Sequence, residues 1–179
     1  MNFSRELNLL RGEMVIVRQF CQTDITAEYL SWLNDPNVTR FSNQRFYSHT
    51  RQSANAYFTS FIGNDNLFLS ILNATTGHAI GTMTAYINGH HNTADLGLLI
   101  GDSESWGKGY GQDAWNTVGN WLLNFQSIRK LTAGAAVGNV AMVKIMERFD
   151  MKFEAIQVGQ ELIDGEPHDL VYYAKFNHS

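Results

Sequence analysis

The chain has 179 residues, which is enough for one domain with a hydrophobic core and short for two. Hydrophobic residues make up 44% and aromatic residues 12%, which excludes disordered and fibrous proteins. Thirteen basic residues against 17 acidic ones give a net charge of −4. This charge argues against nucleic acid as a partner, because binding nucleic acid mostly requires Lys and Arg to neutralise phosphates.

The cysteine count and the N-terminal sequence bear on the compartment. Cys21 is the single cysteine, so an intrachain disulfide is excluded and nothing indicates secretion. Charged residues interrupt any apolar segment of a signal peptide, at Arg5, Glu6, Arg11 and Glu13. No apolar run approaches the roughly 18 to 20 residues that span a bilayer. We therefore expect a soluble, cytoplasmic protein that does not bind membranes.

The first hundred residues alternate between β-branched runs and helical spacing of apolar residues. They predict a strand, two helices and three further strands, at Met14–Gln19, Asp24–Leu33, Thr50–Ile62, Leu67–Leu72, Ile80–Ile87 and Ala94–Gly101. Asp24 is the expected cap of the first helix. Turn-forming residues separate the last three strands.

The pattern changes at Ser103, where a glycine-rich segment leads directly into a helical repeat of apolar residues. The repeat consists of Ala114, Val118, Trp121, Leu122 and Phe125. A strand, a helix capped by Asn139, and two strands around an Asp164-Gly165 turn are predicted to follow, at Leu131–Val137, Val140–Phe149, Lys152–Ile163 and His168–Phe176. This order predicts one α/β (α+β) domain over residues 1–179, with a mixed central sheet.

A strand, a glycine-rich loop and a helix, in this order, can bind phosphate. Glycine lets the backbone approach the ligand, and the first N–H groups of the helix point at the anion. The motif Gly107-x-Gly109-x-Gly111 does not match the P-loop, because Lys108 lies between the glycines, nor the dinucleotide motif, because several strands precede it. By itself the motif fits a phosphate site and a tight, closely packed turn equally well.

The sequence around the glycines carries a family resemblance. The stretch LGLLIGDSESWGKGYGQDA is followed, 28 residues after Gly111, by Asn139 at the start of a helix. This arrangement resembles the GNAT superfamily of acetyl-CoA-dependent acetyltransferases, whose pyrophosphate loop matches residues 106–111. The stretch RQFCQTDITAEYLSWLNDPNVTRF and the loop WGKGYG resemble the branch that acetylates the N-termini of ribosomal proteins. The resemblance covers nearly the whole chain.

The resemblance implies a mixed sheet of about seven strands with flanking helices, in which the fourth strand splays from the fifth. The pantetheine arm of acetyl-CoA, the co-substrate, would lie in this gap and bond to the backbone of Leu99, Ile100 and Gly101. Its pyrophosphate would lie on the backbone N–H groups of Gly107, Lys108, Gly109, Tyr110, Gly111 and Gln112. Asn139 would contact the cofactor, although a plain helix N-cap explains the same residue.

The resemblance also implies that an amine attacks the thioester directly in a ternary complex. By register from the loop, Asp95 matches the catalytic glutamate of the histone-acetylating branch; the alternative is that Asp95 only pairs with a neighbouring strand. His90 and His91 precede this strand and are candidates for the base or a water relay, or form a surface turn. No Cys, Asp or Glu lies beside them at ligand spacing, so we expect no metal.

Several positions depart from the family pattern; Trp106 stands where relatives have Gln or Arg, and three others bear on acid–base catalysis or on a helix end. The tyrosine acid of many relatives is Met146 here, and the glutamate of the ribosomal-protein branch falls on Gly134. Acid catalysis by a tyrosine at position 146 is therefore excluded. Asp150 stands where relatives have glycine, and aspartate tolerates the left-handed backbone conformation that follows a helix better than most residues.

The acceptor site is expected between the first two helices, their loop and the final hairpin. Asn43, Arg45 and Phe46 in that loop combine amide, cationic and aromatic groups, which suit sugars and nucleotides, although a structural role fits Phe46 equally well. The preferred acceptor is the primary amine of a small molecule, an amino sugar that is free or nucleotide-linked. Alternatives are a protein N-terminus, a polyamine, or an acyl-CoA-binding sensor without catalysis. Strands after residue 152 could pair in a homodimer.

Overall fold

The computed structural model describes residues 9–125 and 128–177, so Arg5 and Glu6 lie outside the described residues. Eight strands are present in these ranges: β1 (Leu10–Arg11), β2 (Val15–Gln19), β3 (Leu67–Asn73), β4 (Ala79–Asn88), β5 (Thr93–Ile100), β6 (Lys130–Ala136), β7 (Lys152–Ile163) and β8 (Glu166–Phe176). Five α-helices accompany them: α1 (Ala27–Asn34), α2 (Pro36–Thr39), α3 (Arg51–Thr59), α4 (Tyr110–Phe125) and α5 (Val140–Arg148).

All eight strands belong to one open, mixed sheet with the order β1-β2-β3-β4-β5-β6-β8-β7. Every neighbouring pair is antiparallel except β5 and β6, which α4 connects as a crossover helix. This parallel ladder is short. Its three residue pairs end at Asp95 and Thr132, although both strands continue beyond these residues. A gap therefore opens in the middle of the sheet, between residues 96–100 of β5 and 133–136 of β6, and we call it the wedge.

The helices pack on both faces of the sheet. On one face, α4 and α5 bury Trp115 and Met146 completely in the larger hydrophobic core. On the other face, α1 and α3 pack around an aromatic cluster in which Phe20 and Phe68 stack at 4.1 Å between ring centroids and Tyr29 is buried. Side chains alternate across β3, so one strand supplies both cores. Burial of each such side chain contributes about 1.5–3 kcal/mol.

The structure corrects two details of the sequence-based prediction. The sheet has eight strands rather than about seven, because the two-residue β1 pairs with β2 and is too short to show an alternating pattern. Asp24 does not cap α1. It lies in a preceding 3-10 turn, where its carboxylate binds Arg18, and the N-cap is Thr26, whose hydroxyl accepts a hydrogen bond from the Tyr29 N–H at 3.1 Å.

Other local predictions are confirmed. Asn139 caps α5 by accepting a hydrogen bond from the Met142 N–H at 3.2 Å. Asp150 has a φ of 64°, in the left-handed region, and Asp164 and Gly165 both have positive φ in the turn between β7 and β8. Within the described ranges, no helix is long and apolar enough to cross a membrane.

Candidate active site

On the side of the wedge, no strand of the described residues pairs with β5 beyond Asp95. The Gly101 N–H donates to the Ile80 carbonyl at 3.0 Å, so the backbone of Gly101 points toward β4. The Ile100 carbonyl points the other way and accepts from the Trp106 indole at 2.8 Å. Because N–H and C=O directions alternate along a strand, the backbone groups of Leu96, Leu98 and Ile100 face the wedge.

Because of this alternation, only one of the three residues expected to bond to pantetheine, Leu99, Ile100 and Gly101, directs its backbone groups toward the wedge. Ile100 has the predicted orientation, although its carbonyl already accepts the Trp106 bond. Leu99 pairs with Thr82 and, like Gly101, directs its backbone toward β4. Leu98, which we had not selected from the sequence, presents its backbone groups to the wedge.

The glycine loop ends at the open side of the wedge. Gly107 and Gly109 have φ values of 71° and 93°, which glycine adopts without strain. Helix α4 then begins at Tyr110, and its first helical bond runs from the Asp113 N–H to the Gly109 carbonyl at 3.0 Å. The N–H groups of residues 110–112 therefore have no acceptor within the helix and form the positive end of its dipole.

The loop is held close to β5 and is open on its other side. A Cβ atom added to Gly111 would lie 3.3 Å from Leu98 Cδ2, so α4 starts directly against the strand. No atom of the described residues lies within 4 Å of a Cβ added to Gly107. The Lys108 side chain is exposed. Free N–H groups beside an open glycine and a nearby cation fit the pyrophosphate of a nucleotide cofactor.

Asp95 lies at the closed end of the wedge. Its Oδ2 accepts a hydrogen bond from Thr132 Oγ1 at 2.7 Å across the last residue pair of β5 and β6. Part of the carboxylate is accessible to solvent, but the surrounding protein desolvates it and raises its pKa above the usual 3.8. The bond from Thr132 acts in the opposite direction and lowers the pKa. A carboxylate with a raised pKa is better matched to accepting a proton.

A cavity of about 390 Å³ lies on the aromatic face of the sheet, between α1, α3 and strands β4 and β5. We call it the α1/α3 cavity. Its lining residues are Tyr29, Leu33, Ser42, Gln44, Tyr47, Ser48, His49, Ser53, Ala54, Tyr57, Phe68, Thr82, Met83, Thr84, Gly97, Leu98 and Leu99. Among the described residues, no Asp, Glu, Lys or Arg lines it. It reaches β5 at Gly97, two residues and about 7 Å along the same face from Asp95.

Comparison with known proteins places these features in a family. The family model described as "Acetyltransferase (GNAT) domain" matches residues 15–152, more than three quarters of the chain. The chain belongs to the GNAT acetyltransferase family. GNAT acetyltransferases use acetyl-CoA. In this acetyltransferase, the glycine loop and the wedge have features that fit this co-substrate. No curated protein is detectably similar in sequence.

Solved structures show the same fold. A ribosomal-protein alpha-N-acetyltransferase in complex with CoA superposes with a TM-score of 0.84 at 16% identity, covering 94% of this chain and 98% of that one. Spermidine N-acetyltransferase from Vibrio cholerae, in complex with CoA and spermine, gives 0.83 at 19% identity, covering 92% and 96%. Ribosomal-protein-S5-alanine acetyltransferase from Vibrio fischeri gives 0.81 at 19% identity, covering 96% and 97%.

The two histidines selected from the sequence lie away from the cavity. His90 and His91 are exposed in the β4–β5 turn, where both N–H groups donate to the Asn88 side chain. The His91 carbonyl accepts from Arg129 at 2.8 Å. Three residues, 92–94, separate His91 from Asp95 along the chain. These contacts are those of a surface turn. In the described part of the chain, no group of three His, Cys, Asp or Glu side chains could hold a metal ion.

The three residues expected to bind the acceptor also lie outside the cavity lining. Arg45 donates to the Leu162 carbonyl at 2.9 Å, pairs with Glu161 at 3.5 Å and lies over the Phe46 ring at 4.3 Å. Asn43 is exposed beside it. Asn43, Arg45 and Phe46 lie outside the lining because the 3-10 turn over residues 43–46 directs another residue of this segment, Gln44, toward the cavity. Arg45 thus ties this segment to the β7–β8 hairpin.

The cavity contains functional groups that sequence reasoning did not single out. The Tyr57 hydroxyl lies 3.1 Å from the Tyr86 hydroxyl, and burial raises the pKa of both Tyr57 and Tyr29. His49 lies in the wall of the cavity. The spacing of Ala54, Tyr57, Phe58 and Phe61 predicts the buried face of their helix, but spacing alone does not distinguish a core tyrosine from one that lines a cavity.

Proposed function

We propose that this GNAT acetyltransferase transfers the acetyl group of acetyl-CoA to the primary amine of a small, hydroxyl-rich molecule, with an amino sugar, free or nucleotide-linked, as the preferred acceptor. The α1/α3 cavity carries this proposal. Its wall combines aromatic rings, which stack on sugar rings, with hydroxyl and amide groups, which bond to sugar hydroxyls. The same cavity reaches β5 beside the wedge, so acceptor and acetyl group can meet there.

Acetyl-CoA would bind with its pyrophosphate on the N–H groups of residues 107–112 and its pantetheine arm in the wedge. The backbone groups of Leu98 face the wedge and could bond to this arm, and Ile100 stays a candidate for its N–H group. Lys108 would neutralise a phosphate, and Asn139 lies at the start of α5. This placement directs the acetyl group along β5 toward Asp95 at the closed end. A backbone N–H that faces the wedge would stabilise the oxyanion formed during attack.

The bonds and protons that change in the reaction can be followed one by one. The amine nitrogen attacks the thioester carbon, a C–N bond forms, and the C–S bond then breaks. An acceptor that enters as an ammonium loses two protons before it becomes an amide. One of these protons is taken up by the departing thiolate. Asp95 is the proposed base that accepts this proton from the nitrogen and passes it to sulfur.

Polyamines fit the cavity poorly. A polyamine carries several positive charges, and buried charges need carboxylate partners. No carboxylate of the described residues lines the α1/α3 cavity. A protein N-terminus stays the second candidate, because residues 18–41 and the loop WGKGYG resemble the ribosomal-protein branch. A homodimer through β7 and a cytoplasmic location also stay predictions.

An acceptor panel tests the proposal. Thiol release from acetyl-CoA is measured with free and nucleotide-linked amino sugars, with spermidine and with N-terminal peptides. We expect the highest kcat/KM with an amino sugar and at least a tenfold lower value with spermidine. A preference for peptides would favour the second candidate. Tight acetyl-CoA binding without turnover on any amine would contradict the proposal and favour a sensor.

A further inference from the structure

His49 is held more firmly than a loop residue on the wall of a cavity needs to be. Its N–H donates to Asn34 Oδ1 at 2.9 Å, and its carbonyl accepts from Asn34 Nδ2 at 2.9 Å. Its ring Nε2 lies 3.0 Å from the Gln44 carbonyl oxygen. Asn34 is itself fixed by a bond from Nδ2 to the Leu30 carbonyl at 2.8 Å. The end of α1 therefore fixes the backbone of His49, and the 3-10 turn fixes its ring.

These bonds define the tautomer of the ring. A carbonyl oxygen can only accept, so Nε2 must carry the hydrogen that binds Gln44. In the neutral imidazole, Nδ1 then has a free lone pair. No hydrogen bond from any described residue engages Nδ1. The ring is thus a fixed base in the wall of the α1/α3 cavity.

Among the described residues, the lining of the α1/α3 cavity contains no carboxylate and no second imidazole beside His49. The other titratable groups that line the cavity are the phenols of Tyr29 from α1, Tyr57 from α3 and Tyr47 from its own segment. The strands β3, β4 and β5 contribute only apolar residues, threonines and a glycine to the wall. An ammonium group that enters the cavity therefore contacts neither a carboxylate nor a second imidazole of the described residues.

We propose that His49 is the catalytic base that converts the acceptor's ammonium group to the free amine inside the α1/α3 cavity. This inference rests on the proposed function. The N–H bond of the ammonium breaks, the electron pair stays on nitrogen, and Nδ1 takes the proton. The neutral amine then attacks, Asp95 receives the second proton, and the proton on His49 leaves to solvent. The net products are the amide, CoA thiol and one proton.

Substitution of His49 by glutamine distinguishes a catalytic role of the ring from a structural one. In H49Q the amide Nε2 can still donate to the Gln44 carbonyl, but no basic nitrogen remains. H78Q is the matched control, because His78 is exposed in the β3–β4 turn and does not line the cavity. The kcat, KM and pH profile are measured between pH 5 and 9 with the best acceptor, together with Tm and the Kd for CoA.

We expect H49Q to lose about 10²–10⁴-fold in kcat while Tm, the Kd for CoA and the activity of H78Q stay at wild-type values. The pH profile of kcat should also change shape in H49Q and keep the wild-type shape in H78Q. An active wild type with H49Q within twofold of it would overturn the role of His49 and leave the proposed function intact. A wild type that is inactive on every amine would overturn both.

Discussion

Asp95 and Thr132 form the last residue pair that joins β5 to β6, and their side chains are linked by a hydrogen bond of 2.7 Å from Thr132 Oγ1 to Asp95 Oδ2. The same pair therefore marks where the sheet opens and places a carboxylate at the closed end of the wedge. A strand break exposes backbone groups that a cofactor can use, and the adjacent carboxylate can serve the reaction at the closed end.

Substitution of Asp95 by asparagine should remove the base while keeping the shape of the wedge. We expect kcat of D95N to fall about 10²–10⁴-fold, because the amide cannot accept the proton from the attacking nitrogen. The Kd for acetyl-CoA, measured by calorimetry, should stay within twofold of the wild-type value. Unchanged turnover would remove Asp95 from the mechanism.

Substitution of Thr132 should shift the pH dependence without removing the carboxylate. The hydrogen bond from Thr132 lowers the pKa of Asp95 against the larger effect of desolvation. T132V loses that bond, so the pKa rises and the acidic limb of kcat moves to higher pH, since Asp95 acts only when deprotonated. T132S keeps a hydroxyl and should retain the wild-type limb. A limb that moves to lower pH in T132V would contradict this assignment.

Alanine at Gly109 should weaken the binding of acetyl-CoA. Gly109 has a φ of 93°, where an L-residue is strained by about 1–2 kcal/mol, and the loop must shift to relieve it. Gly63, with a φ of 84° and an open surrounding, lies in a distant loop and provides G63A as the matched control. Calorimetry should give at least a tenfold weaker Kd in G109A and a wild-type Kd in G63A. Equal Kd values in both variants would place the pyrophosphate elsewhere.

A methyl group at Gly97 should obstruct the acceptor and leave the cofactor unaffected. A Cβ at this position would lie 2.7 Å from Thr84 Oγ1, and both residues line the α1/α3 cavity. We expect the KM for the acceptor to rise about tenfold in G97A, equivalent to about 1.4 kcal/mol. The Kd for CoA should not change. G89A is the control, because its Cβ would only make an ordinary contact at 3.7 Å with Asp65.

Asp24 should stabilise the fold rather than the reaction. Arg18 Nη1 and Nη2 each donate to its carboxylate at 2.7 Å, and Ser70 donates at 2.7 Å. D24N should lower the free energy of unfolding by roughly 1–3 kcal/mol, measured with urea at pH 7. The matched variant D164N breaks the exposed pair with Arg40 and should cost less than about 1 kcal/mol.

The contribution of Asp24 should also depend on pH. Desolvation, the largest single influence, raises its pKa, but the bonds from Arg18, the Cys21 N–H and Ser70 together lower it from 3.8 to about 2. A lowered pKa in the folded state stabilises the protein above pH 4, and this stabilisation is lost as the pH falls toward 2. The difference in unfolding free energy between wild type and D24N should therefore narrow over that interval. A difference that stays constant would contradict the lowered pKa.

Local chemistry explains what the sequence could predict. The Asn139 cap, the Asp164-Gly165 turn and the left-handed Asp150 each depend on residues next to one another in the chain, and all three are confirmed. The family resemblance, through the glycine loop and its spacing to Asn139, predicted the splayed strands. β1 was missed because two residues show no alternation.

Contacts between distant segments explain what the sequence could not predict. Arg45 was expected to contact the acceptor, but it reaches Leu162 across 117 residues and holds the hairpin. His49 was not selected, because its fixed ring depends on Asn34 and on the 3-10 turn. Which backbone groups face the wedge depends on the register of β4 and β5, and the expected Leu99 differs from the observed Leu98 by one residue.

The most direct test of the account is the affinity of a bisubstrate conjugate in which the sulfur of CoA is joined through an acetyl bridge to the amine of an amino sugar. If the wedge holds the pantetheine arm while the α1/α3 cavity holds the sugar, the conjugate should bind at least about 100-fold more tightly than CoA. G97A should lose most of that gain and keep its Kd for CoA. A conjugate that binds no more tightly than CoA would show that the cavity is not the acceptor site.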